Sequence, residues 1–543
     1  MTNPEILPTT EDVGLRVSLR LHDPEGGFRD LLGYLISPTQ VRKKSGEVVT
    51  FNPQALALWK VVPDSEIGTG IFLYDTKLRA NQELTISNGR ELRMYCCGPT
   101  VYRDVHVGNL RTFLLADLVT RLTELLGFSV KAIQNITDVG HMGEDFSEAL
   151  LGNPQESGDD KVLEEAHKKN IDPLQLARSY EEKYHRDAAL IGIKPAQVYP
   201  RASESIEMMH QLIGQLIESQ NAYVGEDQSV YFDARTFESY GALSGNRLDA
   251  LKPGHRYEYT GDGAKRFHAD WALWKSAGSR SEMIWDSPWG PGFPGWHIEC
   301  SAMSLHYLQG HADIHLGGID LRFPHHENER AQSNCATHNE VTDLWLHGEH
   351  LLFEGKKMSK SSGNVLLVSD VIERGLDPLA IRLAFMENRY RSQLDLTWAQ
   401  LEAADSTITR WREKYQLWAD AQETPDLSTL ERLINEIVNH LKDDLDTAGA
   451  LIQLREIERD AAISEKTKAL LFERLEPFFA LDILRTPAPR ELPTGASELL
   501  EERAQARAAK EFARSDELRD QLLAMNVKVI DGPSGQSWQI STR

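Results

Sequence analysis

The stretch Leu92–Gln134 reads LRMYCCGPTVYRDVHVGNLRTFLLADLVTRLTELLGFSVKAIQ, and it carries the patterns of a strand, a helix and a second strand. The apolar run Leu92–Cys97 predicts a buried strand that Gly98-Pro99 ends. Apolar residues at helical spacing predict a helix over Thr112–Leu126, and Ser129–Gln134 predicts the second strand. Such a βαβ unit has a right-handed crossover, and its ligand site lies beyond the carboxyl ends of the strands.

The regions on either side of this unit carry different patterns. Short apolar runs broken by turn residues predict a small β-barrel over residues 13–62, and helical stretches mixed with the hairpin-like Ser229–Phe232 predict an insertion between about 150 and 280. The pattern from about 378 to 485 is nearly all helical, and a proline-rich linker then leads to a final helix at about 496–524 and a short β tail. We predict an α/β fold: a Rossmann-type catalytic domain with an insertion, a helical bundle, a small C-terminal domain and an extra N-terminal barrel.

Composition and charge narrow the range of functions. The net charge of −23 over 543 residues argues against binding nucleic acid through overall charge, so any RNA site has to be a local basic patch. The four cysteines, Cys96, Cys97, Cys300 and Cys335, are too few for a disulfide framework and fit a reducing compartment. The N-terminus lacks the pattern of a secretion signal, and no apolar run is long enough to span a bilayer. We therefore expect a cytoplasmic protein with no membrane partner.

Two short motifs point to a nucleotide. The segment His106-Val107-Gly108-Asn109 follows the first strand, where a glycine at a helix start lets the backbone approach an anion or a polar ring. The segment Gly355–Asn364, GKKMSKSSGN, joins lysines to glycine and hydroxyl residues on a predicted loop that could bring ammonium groups to a triphosphate. Taken alone, each motif is also compatible with an ordinary helix entry or a solvated basic turn.

Together these two segments resemble the His-x-Gly-His/Asn and Lys-Met-Ser-Lys-Ser motifs of class I aminoacyl-tRNA synthetases, in the same order along the chain. The resemblance implies catalytic roles for His106, Asn109, Lys357 and Lys360. Lys360 would stabilise charge on the departing pyrophosphate. Asn109 stands where a histidine is frequent, and its amide can still donate to a phosphate. The implied ATP-binding residues are His106, Gly108, Asn109, Asp320, Lys357 and Lys360, with Asp320 at the ribose.

Three further segments resemble cysteinyl-tRNA synthetases, namely Cys97–Tyr102, Gly295–Met303 and Gly317–Glu329, and the likeness covers about residues 70–543. The resemblance implies one zinc ion held by Cys97, Cys300, His325 and Glu329. The spacing is compatible with this set, because a helix that starts at Pro324 places the histidine and the glutamate on one face. From spacing alone, buried apolar cysteines and a surface His–Glu contact stay open as the alternative.

A zinc ion would also explain how cysteine is selected. A substrate thiolate can bind the metal directly, while the hydroxyl of serine is harder and less acidic. Cys96 and Cys97 are neighbours on a strand, so only one of them can reach the metal. We choose Cys97, which matches the family motif, and predict structural roles for Cys96 and Cys335. The resemblance places three more residues around the substrate amine and side chain: Thr137, Trp296 and His315.

The resemblance implies tRNA(Cys) as the acceptor of the activated cysteine. The spacing of basic residues on the predicted final helix forms one stripe suited to phosphates, and an aromatic residue beyond it could stack on a base. The same basic residues are also compatible with a solvent-exposed helix face on which they pair with nearby glutamates. Two other functions also stay open: a ligase of the mycothiol pathway that joins cysteine to an amino sugar, and a catalytically silent RNA-binding paralogue. The predicted tRNA contacts are Arg503, Arg507, Lys510, Arg514 and Trp538.

The patterns and the resemblance together give predicted domain boundaries. We expect a monomer that binds one zinc ion, Mg-ATP, L-cysteine and tRNA. The domains are an extension that resembles an SH3-like barrel (1–68), the first half of the catalytic domain (69–190), a connective insertion (191–280), the second half with the zinc ligands (281–345), a stem-contact region with the Lys-Met-Ser-Lys-Ser loop (346–400), a helical bundle (401–487) and an anticodon-recognition region (488–543).

Overall fold

The computed structural model describes residues 7–9, 12–13, 16–23, 27–43, 47–61, 67–87, 89–140, 160–250, 265–358, 364–487, 492–525, 527–532 and 535–540. The chain divides into two compact bodies, one of residues 1–69 and 84–92 and the other of residues 70–83 and 93–543. Within the described ranges, no helix has both the length and the apolar character that a membrane crossing requires.

The first body is built on an antiparallel sheet of order β4-β3-β2-β1-β5. On β1, Val17, Leu19 and Leu21 are buried while the residues between them are more exposed, as in a sheet with one face on a core. The strands predicted for this region are confirmed, and the closed barrel stays a prediction because no ladder joins β4 to β5 among the described residues. The strands are β1 (Arg16–His22), β2 (Phe28–Ser37), β3 (Gln40–Arg42), β4 (Val48–Thr50) and β5 (Leu56–Val61).

The rest of the chain alternates between strands and helices. The strands are β6 (Ile67–Asp75), β7 (Ala80–Ile86), β8 (Glu91–Cys96), β9 (Ser129–Gln134), β10 (Ala222–Val224), β11 (Val230–Phe232), β12 (Trp271–Ser276), β13 (Gly292–Pro294), β14 (Ala312–Gly318), β15 (Thr342–Gly348), β16 (Leu351–Phe353), β17 (Lys356–Lys357), β18 (Leu394–Leu396), β19 (Val527–Gly532) and β20 (Gly535–Ile540).

The described α-helices all lie in the second body. They are α1 (Val107–Leu125), α2 (Lys161–Lys169), α3 (Pro173–Leu190), α4 (Ile206–Glu218), α5 (Trp296–Tyr307), α6 (His325–Thr337), α7 (Val368–Glu373), α8 (Leu379–Met386), α9 (Trp398–Asp420), α10 (Leu427–Lys442), α11 (Thr447–Arg459), α12 (Glu465–Phe479), α13 (Ala496–Ala508) and α14 (Phe512–Ala524).

A four-stranded sheet of order β15-β14-β8-β9 forms the centre of the second body. Strand β14 runs parallel to both β8 and β15, so Leu316 lies beside Cys96 and the carboxyl ends of three strands meet at one edge. The βαβ unit predicted from the sequence is confirmed. Helix α1 begins at Val107, five residues before the predicted start, because the side chain of His106 caps it.

The predicted insertion and helical bundle are both present. Strands β10 to β13 form an antiparallel sheet, and α4 packs Met209 and Leu212 into the same apolar core as Phe232. This sheet continues to β13, beyond the expected boundary at residue 280. Helices α9 to α12 contact one another and form the bundle.

The C-terminal region differs from the prediction of one helix over 496–524. Helix α13 ends at Ala508 and α14 begins at Phe512, and between them Lys510 adopts the left-handed backbone conformation with φ of 63°. The two helices pack on each other, and Leu500 and Leu522 share a small core with Val527. The short β tail is confirmed as the hairpin of β19 and β20.

A buried ion pair joins α1 to the helical region. Asp117 accepts a hydrogen bond from Arg382 at 2.7 Å, and both side chains are completely buried. The same carboxylate accepts from the guanidinium of Arg121 at 2.8 Å and from the backbone N–H of Lys194 at 2.8 Å. The pair is therefore part of a hydrogen-bond network in which the Asp117 carboxylate has several partners. This network anchors α1 at Asp117.

We expect Asp117→Ala to lower the free energy of unfolding by about 3–5 kcal/mol, because it leaves the buried Arg382 charge without its carboxylate partner and with backbone carbonyls alone. Glu436→Ala, which removes the exposed partner of Arg432, should cost less than about 1 kcal/mol. Urea unfolding followed by circular dichroism would measure both. Equal effects of the two substitutions would contradict the prediction.

Candidate active site and metal centre

The two nucleotide motifs meet at the N-terminus of α1. His106 caps the helix, with its Nδ1 accepting from the backbone N–H of Asn109 at 3.2 Å. Gly108 lies close to both motifs, because a Cβ there would lie 2.7 Å from Cε of Met358 and 3.0 Å from Nδ1 of His106, so a side chain would require Met358 to shift. Met358 belongs to the Lys-Met-Ser-Lys-Ser segment, so this glycine lets the two motifs touch. Lys360 and the side chain of Lys357 lie outside the described residues.

The charge state of this helix entry suits an anion or a polar ring. Burial, assisted by the nearby charge of Arg103, lowers the pKa of His106 to about 4, so the imidazole is neutral near pH 7. Asn109 is exposed at the first turn of α1, where the helix dipole favours negative charge. His106 and Asn109 therefore offer uncharged donors and acceptors at the helix end, and Arg103 is a cationic group near His106.

Asp320 lies at the same edge of the sheet. It follows β14 on a short 3₁₀ turn, Ile319–Arg322, and its side chain is exposed. A Cβ at Gly318 would lie 2.3 Å from Oδ1 of Asp320 and 3.5 Å from Oγ1 of Thr112, which belongs to α1. Asp320 is thus next to the helix that begins with the first motif, as a ribose contact would require.

Four buried side chains from three elements form a candidate metal centre. Cys97 follows β8, Cys300 lies on α5, and His325 and Glu329 lie one turn apart on α6. One donor atom from each lies within 4.8 Å of every other. Sγ of Cys97 is 3.4 Å from Oε1 of Glu329, and Nε2 of His325 is 3.0 Å from the same oxygen. These are the four residues that the resemblance implied.

A second set of donors overlaps the first. Cys97, His315, His326 and Glu329 also bring one donor atom each within 4.8 Å of one another. Nε2 of His326 is 3.3 Å from Sγ of Cys97, and Nε2 of His315 is 3.4 Å from Oε2 of Glu329. The two sets share the cysteine and the glutamate, so the geometry alone allows two ways to complete a tetrahedron.

The electrostatics of these residues fit a bound cation. Burial raises the pKa of Glu329 well above its ordinary value, although a hydrogen bond from Cys97 acts in the opposite direction. Burial, together with the neighbouring Cys300, also raises the pKa of Cys97. Oε2 of Glu329 is buried and has no hydrogen bond among the described residues. Sulfur, nitrogen and carboxylate oxygen at these separations form a donor set that suits zinc.

The histidines of the centre are held by further side chains that sequence reasoning missed. Nδ1 of His325 is 2.8 Å from Nδ1 of His297, and Nδ1 of His326 is 2.8 Å from Nε2 of His347. Metal-binding histidines commonly use the second ring nitrogen in such a contact. His347 is the penultimate residue of β15 and lies beside Gly317, so alignment of the parallel strand ends was the signal that could have revealed it.

Of the residues predicted around the substrate, Trp296 and His315 contact the candidate metal centre, and Thr137 contacts Glu299, the neighbour of Cys300. The Trp296 ring lies 4.2 Å from that of His325, and the His315 ring stacks on Trp345 at 4.5 Å. Thr137 lies beyond the end of β9, and its hydroxyl donates to Oε2 of Glu299 at 3.1 Å. The fold therefore brings all three predicted residues to one edge of the central sheet.

Glu299 is a second residue that sequence reasoning missed. It is completely buried, and its Oε1 has no hydrogen bond among the described residues. Burial raises the pKa of Glu299 well above its ordinary value, and the adjacent Cys300 adds to the shift. Its contact with Thr137 fixes the direction of that hydroxyl proton. The motif contained the residue, but helical spacing gave no signal that it faces Thr137.

Cys96 and Cys335 lie away from the donor atoms of both sets. Sγ of Cys96 accepts from the side-chain amide of Gln134 at 3.5 Å, on the opposite side of the strand end from the contacts of Cys97. Cys335 is partly buried and packs against the core of the insertion. Only one of the two adjacent cysteines faces the metal centre, as strand geometry required.

The prediction that the basic residues at the C-terminal end form one stripe on a single helix is wrong. The helix break separates Arg503 and Arg507 from Arg514, and helical spacing does not hold across it. Arg503 is buried and pairs with Asp531 at 2.9 Å, so its side chain is not presented at the surface. Arg507 also pairs with Asp531, and Arg514 pairs with Glu502 and Glu517. Trp538 is partly buried against the core of α13 and α14.

Family models match two separate parts of the chain. Residues 83–143 and 155–406 match the family model for the class I (C) tRNA synthetase catalytic domain, and residues 490–538 match the model for the cysteinyl-tRNA ligase anticodon binding domain. The second body therefore contains the catalytic domain of a class I tRNA synthetase.

A cysteine–tRNA ligase of Thermus thermophilus is 36% identical over 491 residues, which cover 87% of this chain and 99% of the relative. That of Salinibacter ruber is 36% identical over 513 residues, with 86% and 98% covered. The chain belongs to the cysteine–tRNA ligase family.

Solved structures show the same fold at low sequence identity. Mycobacterium tuberculosis methionyl-tRNA synthetase bound by methionyl-adenylate has a TM-score of 0.51 and 13% identity, with 78% of this chain and 96% of that chain covered. The ternary complex of Agrobacterium radiobacter K84 agnB2 LeuRS with tRNA and LeuAMS has a TM-score of 0.52 and 11% identity, with 72% and 84% covered. These likenesses support the Rossmann-type fold of the second body.

The two overlapping donor sets make different predictions for metal content. If the ion binds the set that contains Cys300, Cys300→Ala should weaken zinc binding by more than the roughly 10–100-fold expected for an outer contact, while His315→Ala should not exceed that range. Chelator competition and elemental analysis would measure affinity and stoichiometry. Cys335→Ala is the matched control, and the reverse ranking of Cys300→Ala and His315→Ala would assign the other set.

Proposed function

We propose that this protein ligates L-cysteine to tRNA(Cys) in an ATP-dependent reaction that proceeds through cysteinyl-adenylate. The observation that carries this proposal is a buried thiol, imidazole and carboxylate donor set at the same sheet edge as the helix start where the two nucleotide motifs meet. Membership of the cysteine–tRNA ligase family supports the same substrates. The acceptor proposal is also supported by the match of residues 490–538 to an anticodon binding domain.

In the first step, a carboxylate oxygen of cysteine attacks the α-phosphorus of ATP, the new acyl–phosphate bond forms and pyrophosphate leaves. His106, Gly108 and Asn109 contact the nucleotide at the start of α1, and Asp320 binds its ribose. Lys357 and Lys360 supply the positive charge that stabilises the departing pyrophosphate. This reaction depends on positioning and countercharge rather than on a protein nucleophile. Magnesium accompanies ATP.

Zinc is the metal we propose for the centre, with Cys97, Cys300, His325 and Glu329 as its ligands. When bound, it supplies a Lewis acid that prefers a substrate thiolate to a hydroxyl. The donors come from three elements that are distant in sequence, so the ion site forms only in the folded second body. Trp296 and His315 enclose the substrate side chain, and Thr137 accepts from the substrate amine.

In the second step, the 2′-hydroxyl of the terminal adenosine of the tRNA takes the acyl group and AMP leaves. Arg507, Lys510, Arg514 and Trp538 are proposed contacts of the RNA. Binding would have to replace the carboxylate partners of Arg507 and Arg514 with phosphates. We propose a cytoplasmic monomer, since a single chain contains every site described.

Cysteine-dependent ATP–pyrophosphate exchange tests the activation step, with serine as the competing amino acid. Acylation of tRNA(Cys) against an amino sugar acceptor then separates the proposed function from its closest rival. We expect exchange with cysteine, little exchange with serine and charging of RNA. Exchange followed by transfer to the sugar would favour the mycothiol-type ligase, and absence of exchange would favour a silent paralogue.

Lys360→Ala should slow the exchange reaction by about 10²–10³-fold, because one preorganised charge at the transition state is lost. The KM for cysteine should change little, since the role proposed for the lysine is toward the departing pyrophosphate. Lys356→Ala, which removes an exposed lysine of the same segment, is the control and should retain most of the activity. A loss confined to cysteine binding in Lys360→Ala would contradict the proposed role.

A further inference from the structure

A continuous line of hydrogen-bonding side chains leads from Cys97 to a turn beyond the sheet edge. Sγ of Cys97 lies 3.3 Å from Nε2 of His326, and Nδ1 of His326 lies 2.8 Å from Nε2 of His347. Nδ1 of His347 lies 2.8 Å from Oγ1 of Thr76, which follows β6. Each imidazole therefore uses both of its nitrogens within the line, and the donor set of the metal centre is extended by three residues.

The line is buried along its whole length. Thr76, His326 and His347 are at most 8% exposed, and the backbone N–H of Thr76 is fixed by the carbonyl of Trp345 at 2.9 Å. Gly317 makes room for the inner imidazole, because a Cβ there would lie 2.6 Å from Cε1 of His326. Solvent is excluded and the rings have little freedom to turn, so the hydrogen bonds have to be satisfied within the line.

The identity of the end group fixes the direction of the hydrogen bonds. A cysteine that binds a metal is a thiolate, and a thiolate can only accept. Nε2 of His326 must then carry a proton, which leaves its Nδ1 as an acceptor for the N–H of His347. Nδ1 of His347 becomes the acceptor for the hydroxyl of Thr76. One neutral tautomer at each ring satisfies every contact.

We propose that Thr76, His347 and His326 form a donor relay that positions the Cys97 thiolate and tunes its strength as a metal ligand. This inference rests on the proposed metal-binding function of Cys97. It assigns His326 as a positioning residue rather than a ligand, and so explains why two overlapping donor sets occur. A hydrogen bond donated to a ligating sulfur withdraws electron density from it and holds its orientation.

The test uses Thr76, because this residue touches none of the donor atoms of either set. Thr76→Val keeps the shape and removes the terminal donor, while Thr76→Ser retains a hydroxyl. We expect Thr76→Val to weaken zinc binding by about 10-fold in chelator competition, the lower end of the range for outer contacts, and Thr76→Ser to bind like the wild type. Thr76→Val should also shift the sulfur-to-cobalt charge-transfer band of the cobalt-substituted full-length protein.

Two further variants separate a relay from a ligand and guard against misfolding. His347→Gln can still donate to His326 from its amide and should restore most of the affinity that His347→Leu loses, with folding checked by circular dichroism. His326→Gln keeps an N–H donor toward the sulfur and should retain zinc within about 10-fold of the wild type. Zinc loss in His326→Gln as severe as in Cys300→Ala would make His326 a ligand and overturn the relay.

The failure of this inference can be told apart from failure of the proposed function. Unchanged zinc affinity and an unchanged cobalt spectrum in Thr76→Val would overturn the relay while cysteine-dependent exchange by the wild type would still support the ligase. Absence of that exchange would count against the ligase even if Thr76→Val altered metal binding. Metal affinity and spectrum are read without turnover, so the two results are independent.

Discussion

A cluster of buried ionisable side chains at the carboxyl edge of the central sheet is the constraint on which the site depends. Cys97, Cys300 and Glu329 are at most 3% exposed, and no lysine or arginine bonds to Glu329 among the described residues. Ionised groups in such surroundings are costly unless a countercharge is supplied. A metal cation bound by these donors would supply it, and such an ion would belong to the folded structure as well as to the chemistry. Two bonded histidine pairs behind the centre then hold the imidazoles in place.

Parallel strands explain why residues far apart in the sequence reach this edge together. Strands β8, β14 and β15 end side by side. Cys97 and Asp320 follow β8 and β14, and His347 lies one residue before the end of β15. Helix α1 leaves from the same edge and contributes its N-terminus to the nucleotide end. The Asp117–Arg382 pair lies further along that helix, where it fixes α1 against the helical region rather than against a ligand. Stability and function thus occupy different parts of one element.

Local sequence patterns predicted the strands and helices of the site, but they did not predict how these elements pack against one another. The apolar run before Gly98 and the i, i+4 pair after Pro324 are properties of short segments, so a strand end and a helix face could be read from them. The contacts of His347 and Thr76 arise between segments distant in sequence, and no periodicity records them. The break at Lys510 was missed because the segment Ala504–Asp520 has helix-forming residues on both sides and no glycine or proline. The basic residues that are regularly spaced along the sequence therefore lie on two helices and the turn between them.

A metal site that selects a substrate by its thiol must hold the ion and also leave it able to bind a further thiolate. Thiolate and carboxylate ligands lower the positive charge that the ion presents, and a less electrophilic ion binds a further thiolate less strongly. Donors aimed at the ligating sulfur oppose this effect, since they draw charge away from it without adding a ligand. Buried neutral imidazoles suit that task because they donate a directed N–H without placing another charge in a low-dielectric region. In the proposed site, the histidines behind Cys97 would let the protein interior hold a charged sulfur while the metal could still accept another.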